Sequence, residues 1–568
     1  MNYNNKKKLN HFFQQRGSGL HNIVCRYILA VYFFIMAVIY PFYVPGGYVR
    51  IGEVKYLFFR NTTLVTLMAA GGVILLSALI HHDREWIVKH YREMSVTDWL
   101  VYGYCLTVMV SYLCSAYKEN ALWGAEGWYM GTMSQLMFAL LYFFFSRYYF
   151  YSPAGSDPDG ENSGVRTAAK RGLKWLGLWL AAAAGVFLLG ICNRYSFYPI
   201  AMDGQTETFI STLGNINWFC GYWSVAATVG ITIYWCSEKK IVRVWTGIYS
   251  FIAMLSGITQ GSSSAYLVFL ALLVTLLVLS MQSNRKLYRF LELCMFFAAA
   301  CLTGKMLQYL PGFSYNYWGS SAETVSGITA SLLTGDAAAW LFLLLAGCYV
   351  LFRVLEGYGW FHIERYRWLQ GVMAAAVAAA VCAAVLLFMI DSRIIYFREV
   401  PFAMERDSCL EAVLDEDWGN GRGATWKCGI DAYRCMDTLH KAVGAGPDCF
   451  ADYVYDVPEL AKRMIERFGS LRLTNAHNEW MTVLVNTGAL GLFCYVGIFL
   501  AAFVRFLRKA GEQPFLAVFA LAVLAYTVHN MVSFQQVLST PYIFIVMGMG
   551  EGLMRIFKRN NGENTVEQ

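Results

Sequence analysis

Long apolar segments make up most of this chain and limit its fold more than any other feature. A helix needs about 20 apolar residues to cross a bilayer, and we count about fourteen candidate segments, with roughly 12 to 14 spans compatible with the pattern. The segments are Val24–Val44, Leu64–Ile80, Trp99–Ala116, Met130–Phe150, Trp175–Cys192, Trp218–Cys236, Val244–Gly257, Ala265–Met281, Phe290–Leu307, Ala338–Leu355, Gln370–Ile390, Met481–Val504, Phe515–Met531 and Val537–Met554. The sequence therefore predicts an all-α polytopic membrane protein.

The composition supports the same class. Of the 568 residues, 57% are hydrophobic and only 15% are charged, a balance outside the range of soluble globular domains. The net charge of +7 comes largely from basic clusters at the ends of apolar segments, so we expect no nucleic-acid partner. We predict instead a multi-pass protein of the cell membrane that contacts membrane lipid.

Basic residues give the orientation. Clusters such as Lys6–Lys8 and Arg166–Lys174 all fall on one side of the membrane if the chain crosses it about fourteen times, and the positive-inside rule then places both termini in the cytoplasm. One short outer loop is an exception, because it carries Arg50, Lys55 and Arg60. The other loops agree on the orientation.

The division of the chain follows from this topology. The predicted parts are a cytoplasmic N-terminus (1–23), a membrane domain of about eleven helices (24–390), an extracytoplasmic loop (391–480), the C-terminal transmembrane helices (481–558) and a cytoplasmic tail (559–568). Within the loop, apolar residues recur at helical intervals from about Gly423 to Ala442, and Pro458 is a favoured first residue of a second helix. We therefore predict a folded, helical loop that lies on the membrane as the lid of an active site.

Cysteines and acidic residues in the loop leave the structural options open. Four cysteines lie there: Cys409, Cys428, Cys435 and Cys449. An even number outside the cytoplasm permits two disulfides, whose pairing the spacing does not define. The acidic run Asp415–Asp417 lacks further ligands at a recognisable spacing, so we interpret it as a solvated loop and expect no metal. The chain has no P-loop and no Rossmann fingerprint, so we expect a reaction without a cofactor, driven by an activated substrate or a gradient.

Two loop residues are the first candidates for chemistry. Arg422 lies between two glycines at the start of a predicted helix, where close backbone approach, the helix N-terminus and the guanidinium all favour a phosphate. His477 lies just before the next apolar segment and could act as a general base near neutral pH. Asn478 and Glu479 follow it and could orient it or a substrate hydroxyl. The alternatives are a solvated arginine in a turn and a polar cap at a helix start.

Further candidates lie at the predicted outer ends of other segments. Arg194 and Arg393 could each be a second phosphate-binding group or a side chain that snorkels to the interface. Asn215 and Asn217 form a Gly-Asn-Ile-Asn turn that could cap the following helix or offer amides to a sugar or phosphate. His529–Asn530 could line the same cavity or simply pack at the interface.

Four motifs in a fixed order connect these residues to a known family. They are GNIN (Gly214–Asn217), GNGRGATWK (Gly419–Lys427), GAGPDCF (Gly444–Phe450) and the AHNEW segment with its following GALGL run (Ala476–Tyr495). In order, spacing and outer-loop location, the chain resembles the O-antigen ligase and Wzy-type O-antigen polymerase superfamily over about residues 214–495. One stretch departs from the family, which often has an arginine in a T-x-S-R sequence where this chain has Thr259–Leu267 without one. The second phosphate contact is then absent, or Arg194 or Arg393 supplies it.

The resemblance implies a GT-C-like membrane glycosyltransferase of polysaccharide biosynthesis in the cell envelope. The expected donor is a glycan on a polyprenyl (undecaprenyl) diphosphate carrier, and the expected reaction inverts the anomeric centre without metal. Arg422 would stabilise the diphosphate leaving group together with a second arginine, and His477 would deprotonate or orient the acceptor hydroxyl. Asn215, Asn217, Asn478 and Glu479 are the corresponding candidates for positioning substrate.

The acceptor stays open at this point. A polymerase extends a second lipid-linked glycan, a ligase modifies another surface molecule, and a protein O-oligosaccharyltransferase of the same superfamily modifies protein. We favour a polymerase in capsule or exopolysaccharide assembly, a role that would also allow partners from the assembly machinery. A lipid-oligosaccharide flippase is the alternative from another class, and it predicts functional charges inside the bundle near the midplane.

Overall fold

The computed structural model describes residues 20–81, 93–151, 163–206, 208–315, 323–391 and 418–560. Over these residues the chain is mostly helical, and two short antiparallel strands, β1 (Phe209–Ile210) and β2 (Gly214–Asn215), pair just before one of the helices. The prediction of an all-α polytopic fold is confirmed at this level.

The helices are numbered here in chain order. The first ten are α1 (Leu20–Phe42), α2 (Ile51–His81), α3 (Val96–Cys114), α4 (Lys118–Trp123), α5 (Thr132–Tyr148), α6 (Ser163–Arg194), α7 (Ile216–Cys236), α8 (Lys240–Gln260), α9 (Ser263–Ser280) and α10 (Asn284–Leu307). The remaining ten are α11 (Glu323–Thr334), α12 (Ala337–Gly357), α13 (Arg367–Asp391), α14 (Trp418–Cys435), α15 (Thr438–Val443), α16 (Phe450–Asp456), α17 (Pro458–Phe468), α18 (Glu479–Lys509), α19 (Leu516–His529) and α20 (Thr540–Asn560).

The apolar segments of the sequence correspond to helices. Within the described ranges, nine helices are long and apolar enough to cross a membrane: α1, α2, α3, α6, α8, α9, α10, α12 and α18. The other predicted segments overlap α5, α7, α13, α19 and α20. The exact number of crossings and the orientation stay predictions. We call the side of the bundle that contacts α14–α17 the loop side.

The loop itself differs from its prediction in one place. The expected helix over Gly423–Ala442 is two helices, because the side chain of Asp437 accepts a hydrogen bond from the His440 N–H (2.8 Å) and so caps a new helix, α15. The expectation that Pro458 begins a helix is confirmed by α17. Cys428, Cys435 and Cys449 are free thiols, and Cys409 lies outside the described residues, as do Asp415–Asp417.

Local contacts account for two of the three basic residues that disagree with the predicted topology, Lys55 and Arg50. Lys55 is buried, and its Nζ donates to the carbonyls of Tyr40 (2.8 Å) and Pro41 (2.9 Å) in the last turn of α1. The free carbonyls at a helix C-terminus attract a cation. Arg50 pairs with Glu53 at 2.6 Å. These residues therefore have partners of their own on the loop side, so they do not argue for the opposite orientation.

A buried ionic network joins four helices at the end opposite the loop side. Asp98 at the start of α3 pairs with Arg555 of α20 and lies 3.6 Å from the guanidinium of Arg147 at the end of α5. Arg505 of α18 pairs with Glu551 at 2.6 Å. Removing one partner of a buried ion pair leaves an uncompensated charge and is costly. The network therefore fixes how these helix ends are arranged.

Two glycines join the loop to the membrane helices. Gly444 has a φ of +78°, and a Cβ there would lie 2.3 Å from the carbonyl oxygen of Asn486 in α18. Helix α18 is kinked at Gly488, where φ is +68°. Near the kink the Asn486 carbonyl accepts a hydrogen bond from the Gly446 N–H (2.9 Å). The GAGPDCF motif thus packs its backbone directly on α18.

Replacing Gly444 with alanine is expected to lower the thermal stability of the protein in detergent. The unfavourable φ alone costs about 1–3 kcal/mol, and the new methyl group also meets the Asn486 carbonyl. Gly469→Ala is the matched control, because Gly469 has a φ of +62° but open space around its Cβ position. Equal losses of Tm in the two variants would contradict the close packing described here.

Candidate active site

Arg422 lies at the base of the loop and reaches the bundle. It is buried, and its Nη1 donates to Ser263 Oγ (2.9 Å) in the first turn of α9. Burial lowers the pKa of Arg422 to about 10, so the guanidinium remains charged at neutral pH. Gly421 beside it has a φ of +85°, and a Cβ there would lie 3.1 Å from the Phe468 ring. Glycine at this position lets the arginine segment pack closely against α17.

Arg194 lies at the end of α6 and is completely buried. Its Nε donates to the Thr259 carbonyl (3.0 Å), and its Nη2 donates to the Tyr315 hydroxyl (3.3 Å). The remaining nitrogen, Nη1, is buried and has no hydrogen-bond partner among the described residues. The side chain lies inside the protein, so the alternative of an arginine that snorkels to the interface does not describe it.

The two arginines contact either side of the same short connection between α8 and α9. Arg194 contacts Thr259 in the last turn of α8, just before the connection, and Arg422 contacts Ser263, the first residue of α9, just after it. The side chain of Ser262 makes no capping bond at the start of α9 and contacts Ser264 Oγ at 2.9 Å instead. A free helix N-terminus next to two guanidinium groups favours an anion. Thr259–Leu267 is the stretch in which the O-antigen ligase family often has an arginine and this chain has none. Arg194 contacts the first residue of that stretch.

His477 lies just before α18, close to Arg422. It has a φ of +49°, its N–H donates to Asn475 Oδ1 (2.9 Å), and its ring packs on Phe534 with centroids 5.4 Å apart. Burial, followed by the positive charge of Arg422, lowers the pKa of His477 to about 4. The imidazole is therefore neutral at pH 7 and has a nitrogen that can accept a proton.

Asn478 and Glu479 are held by other parts of the protein. The Asn478 side chain accepts a hydrogen bond from the Met481 N–H (3.1 Å) and caps α18. Glu479 is buried and accepts hydrogen bonds from Tyr495 (2.5 Å), Tyr526 (3.1 Å) and Asn530. Both side chains thus fix the start of α18 and, with it, the location of the preceding residue, His477.

The two asparagines of the GNIN turn have different environments. Asn215 Oδ1 accepts a hydrogen bond from the Asn217 N–H (2.8 Å) and caps α7, so Asn215 has the structural role that was the alternative for it. The Asn217 carbonyl accepts from Gln536 Nε2 (3.3 Å), whereas its side-chain amide has no hydrogen-bond partner among the described residues. Asn217 is therefore the member of the pair that can still bind a ligand.

A polar segment between α19 and α20 completes the site, and sequence analysis recognised only its first residues. Four side chains in or next to this segment each have a buried polar atom without a hydrogen-bond partner within the described ranges. The atoms are His529 Nε2, Ser533 Oγ, Gln536 Oε1 and Ser539 Oγ. A Cβ at Gly221 of α7 would lie 2.6 Å from Gln536 Nε2, and His529 is close enough to Arg422 to be affected by its charge. Buried polar groups need hydrogen-bond partners, so this region suits a polar ligand. The available signal was the polar run Ser533–Gln536 between two apolar segments.

Asp448 in the GAGPDCF motif ties the loop to another loop-side segment. Its carboxylate accepts hydrogen bonds from the N–H groups of Ala125 (2.8 Å) and Met130 (2.9 Å). Burial raises the pKa of this carboxyl to about 7. The motif is therefore a structural connection, which fixes residues 125–130 against the loop.

The other predicted site residue, Arg393, lies outside the described residues. In the described part of the chain, no group of three or more histidine, cysteine, aspartate or glutamate side chains is placed to hold a metal ion.

These features together define a polytopic membrane protein with a folded loop that brings a histidine and a buried arginine to one end of the helix bundle, where α6 ends in a second buried arginine. A comparison with models of protein families matches residues 324–496 to the family described as O-antigen ligase. This match confirms the resemblance to the O-antigen ligase and Wzy-type superfamily and indicates a membrane enzyme that transfers glycans. A search of curated proteins finds no match.

The matched region contains Arg422 and His477 and ends close to the predicted boundary at Tyr495. Arg194, Asn215 and Asn217 precede it, so their place in the site depends on the contacts described above.

Proposed function

We propose that this protein transfers a glycan from a polyprenyl-diphosphate carrier to an acceptor hydroxyl at the loop side of the helix bundle. The observation that carries this proposal is the contact of Arg194 with the end of α8 and of Arg422 with the start of α9, on either side of one short connection. His477, a neutral base, lies close to Arg422. An anion site beside a base suits a reaction whose leaving group is a diphosphate.

The donor diphosphate binds at the start of α9. Arg194 offers the buried Nη1 that has no partner among the described residues, and Arg422 approaches from the loop. The first N–H groups of α9, where Arg422 contacts Ser263, also favour negative charge. Both guanidinium groups are already buried, so they interact more strongly with developing charge than they would in water. This arrangement stabilises the diphosphate as it leaves.

The transfer itself is a single displacement. The acceptor hydroxyl oxygen attacks the anomeric carbon on the face opposite the diphosphate. The new carbon–oxygen bond forms as the bond to the diphosphate oxygen breaks, the bonding electrons leave with the diphosphate, and the hydroxyl proton moves to the free ring nitrogen of His477. The anomeric centre is inverted. Because the carrier already activates the glycan, the step uses neither nucleotide nor metal.

The loop would keep water out of this reaction. Helices α14–α17 have an apolar core of their own, built around residues such as Phe450, Met464 and Val485 of α18. Arg422 is part of α14 within this layer and is buried, and His477 just before α18 is partly exposed. A closed, water-excluding site protects an activated donor from hydrolysis.

A flippase is less consistent with where the charges lie. Within the described ranges, the buried charged side chains include Lys55, Asp98, Arg194, Arg422 and Glu551. The first four lie close to a helix end, and Glu551, midway along α20, pairs with Arg505 near the end of α18. A transporter site is instead expected near the middle of the bilayer. The hypothesis of a glycan transferase gives the loop-side charges Arg194 and Arg422 a function.

The proposed activity is tested with purified protein in liposomes, a polyprenyl-diphosphate oligosaccharide as donor, and EDTA in place of nucleotide and metal. We expect a ladder of longer lipid-linked glycans, resolved by size, which identifies a polymerase. Transfer to an added lipid glycan or protein acceptor instead identifies a ligase or a protein transferase. Movement of the donor across the membrane without any covalent product would contradict the proposal.

A further inference from the structure

A row of aromatic rings starts at His477 and runs along the loop side. The His477 ring packs on Phe534 at 5.4 Å between centroids, Phe534 packs on Trp128 at 4.6 Å, and Trp128 packs on Trp218 at 5.9 Å. Each pair is nearly perpendicular, with interplanar angles of 82°, 82° and 81°. Four separate segments of the chain thus place their rings in consecutive contact.

The backbone holds the two tryptophans in place. Trp128 lies within the segment that Asp448 fixes through the N–H groups of Ala125 and Met130. Trp218 lies in the first turn of α7, and a Cβ at Gly52 would come within 3.1 Å of its ring. The rings therefore have little freedom to move away from His477.

The rings are more exposed to solvent with distance from His477. Phe534, next to His477, is only 5% exposed, whereas Trp128 and Trp218 are partly exposed. Asn217 precedes Trp218 and has the side-chain amide without a hydrogen-bond partner among the described residues. An aromatic ring can pack on the apolar face of a sugar, and an amide in the same region can bind its hydroxyls.

The chemistry of the row differs from that of the arginine site. Its four rings bear no fixed charge, since His477 is neutral at pH 7. The cationic groups Arg194 and Arg422 contact the end of α8 and the start of α9 instead. A diphosphate needs the cations, whereas a neutral sugar needs rings and amides. His477 is the residue that the two regions share, as expected for a base that acts between donor and acceptor.

We propose that Trp128, Trp218 and Asn217 form the binding site of the acceptor glycan. Sugar units of the acceptor pack on the two tryptophans, and the terminal unit extends past Phe534 so that its hydroxyl reaches His477. This inference rests on the proposed glycan transfer for the direction of the reaction. The binding of a neutral oligosaccharide at these residues can be measured on its own.

The test uses full-length protein in nanodiscs with the variants Trp128→Leu, Trp218→Leu and Asn217→Ala. The probe is the lipid-free oligosaccharide released from the donor, and its binding is followed by saturation-transfer NMR and by its use as acceptor at saturating donor. Each tryptophan variant is expected to raise the acceptor KM about tenfold, the size of one aromatic packing contact, with a smaller change in kcat and with donor binding unchanged. Trp218→Phe should restore most of the affinity.

The matched control is Trp123→Leu, because Trp123 is a 41% exposed tryptophan at the end of α4 that lies outside the row. Thermal melting of every variant identifies any that are misfolded, and Trp218→Phe then serves in place of Trp218→Leu. An unchanged acceptor KM and unchanged probe binding in the tryptophan variants would overturn the inference. Tryptophan-dependent binding without any transfer by the wild type would support the glycan site and contradict the proposed function, so the two failures are distinguishable.

Discussion

The variant His477→Gln is expected to reduce the rate of glycan transfer by about 100- to 10,000-fold, the usual range for loss of a general base. Glutamine keeps a polar side chain of similar length but cannot take up the acceptor proton. Donor binding should persist, because Arg194 and Arg422 remain. The measurement is the initial rate at saturating donor and acceptor, together with the affinity for the donor.

The pH dependence gives a second test of the same residue. Burial and the charge of Arg422 lower the pKa of His477 to about 4, and the base works only when it is unprotonated. The kcat/KM of the wild type, which reports the free enzyme, should therefore stay level as the pH falls from 7 to about 5 and decline only near pH 4. A decline centred on the ordinary histidine pKa of about 6.5 would contradict this assignment.

The control is His440→Gln, since His440 is a loop histidine on α15 whose Nδ1 lies 2.8 Å from Asp437. It has no contact with Arg422 or Phe534 among those described, so full transfer activity is expected. Equal losses in the two histidine variants would indicate damage to the loop and not to the proton transfer.

Arg194→Gln and Arg422→Gln are each expected to lower kcat by about 100- to 1,000-fold, as found when one charge-stabilising donor is removed from an active site. In the proposed site both groups bind the same diphosphate, so the double variant should lose less than the product of the two single effects. Lysine in place of either arginine should recover part of the rate, because it keeps the charge but loses the forked geometry. Transfer rates and donor affinities of the five variants are measured side by side.

Arg463→Gln is the matched control for the arginines. Arg463 lies on α17 and pairs with Asp431 at 2.8 Å on the surface of the loop, so its loss should leave transfer intact. Arg194 also donates to Thr259 and Tyr315, and a melting curve separates its structural contribution from its effect on the reaction. Normal kcat in a folded Arg194→Gln protein would remove Arg194 from the diphosphate site.

Local sequence patterns predicted the features that depend on neighbouring residues. Runs of apolar residues predicted the helices, and the GNIN turn predicted the cap that Asn215 forms. The break at Asp437 was missed because the apolar spacing on either side of it continues as if there were one helix. Two contacts could not be predicted, because each joins residues far apart in the chain. They are the hydrogen bond from Arg194 to Thr259 and the packing of Gln536 against α7.

The position of Arg194 also bears on how relatives of this chain are to be recognised. A cation required at one point in space can come from any helix whose end passes that point, and in the proposed site it comes from α6, next to a stretch of glycine and serines. A search pattern that demands arginine within residues 259–267 would reject this chain. Distant homologues are therefore better sorted by whether any basic side chain reaches the junction of α8 and α9 than by the residue type at one aligned position.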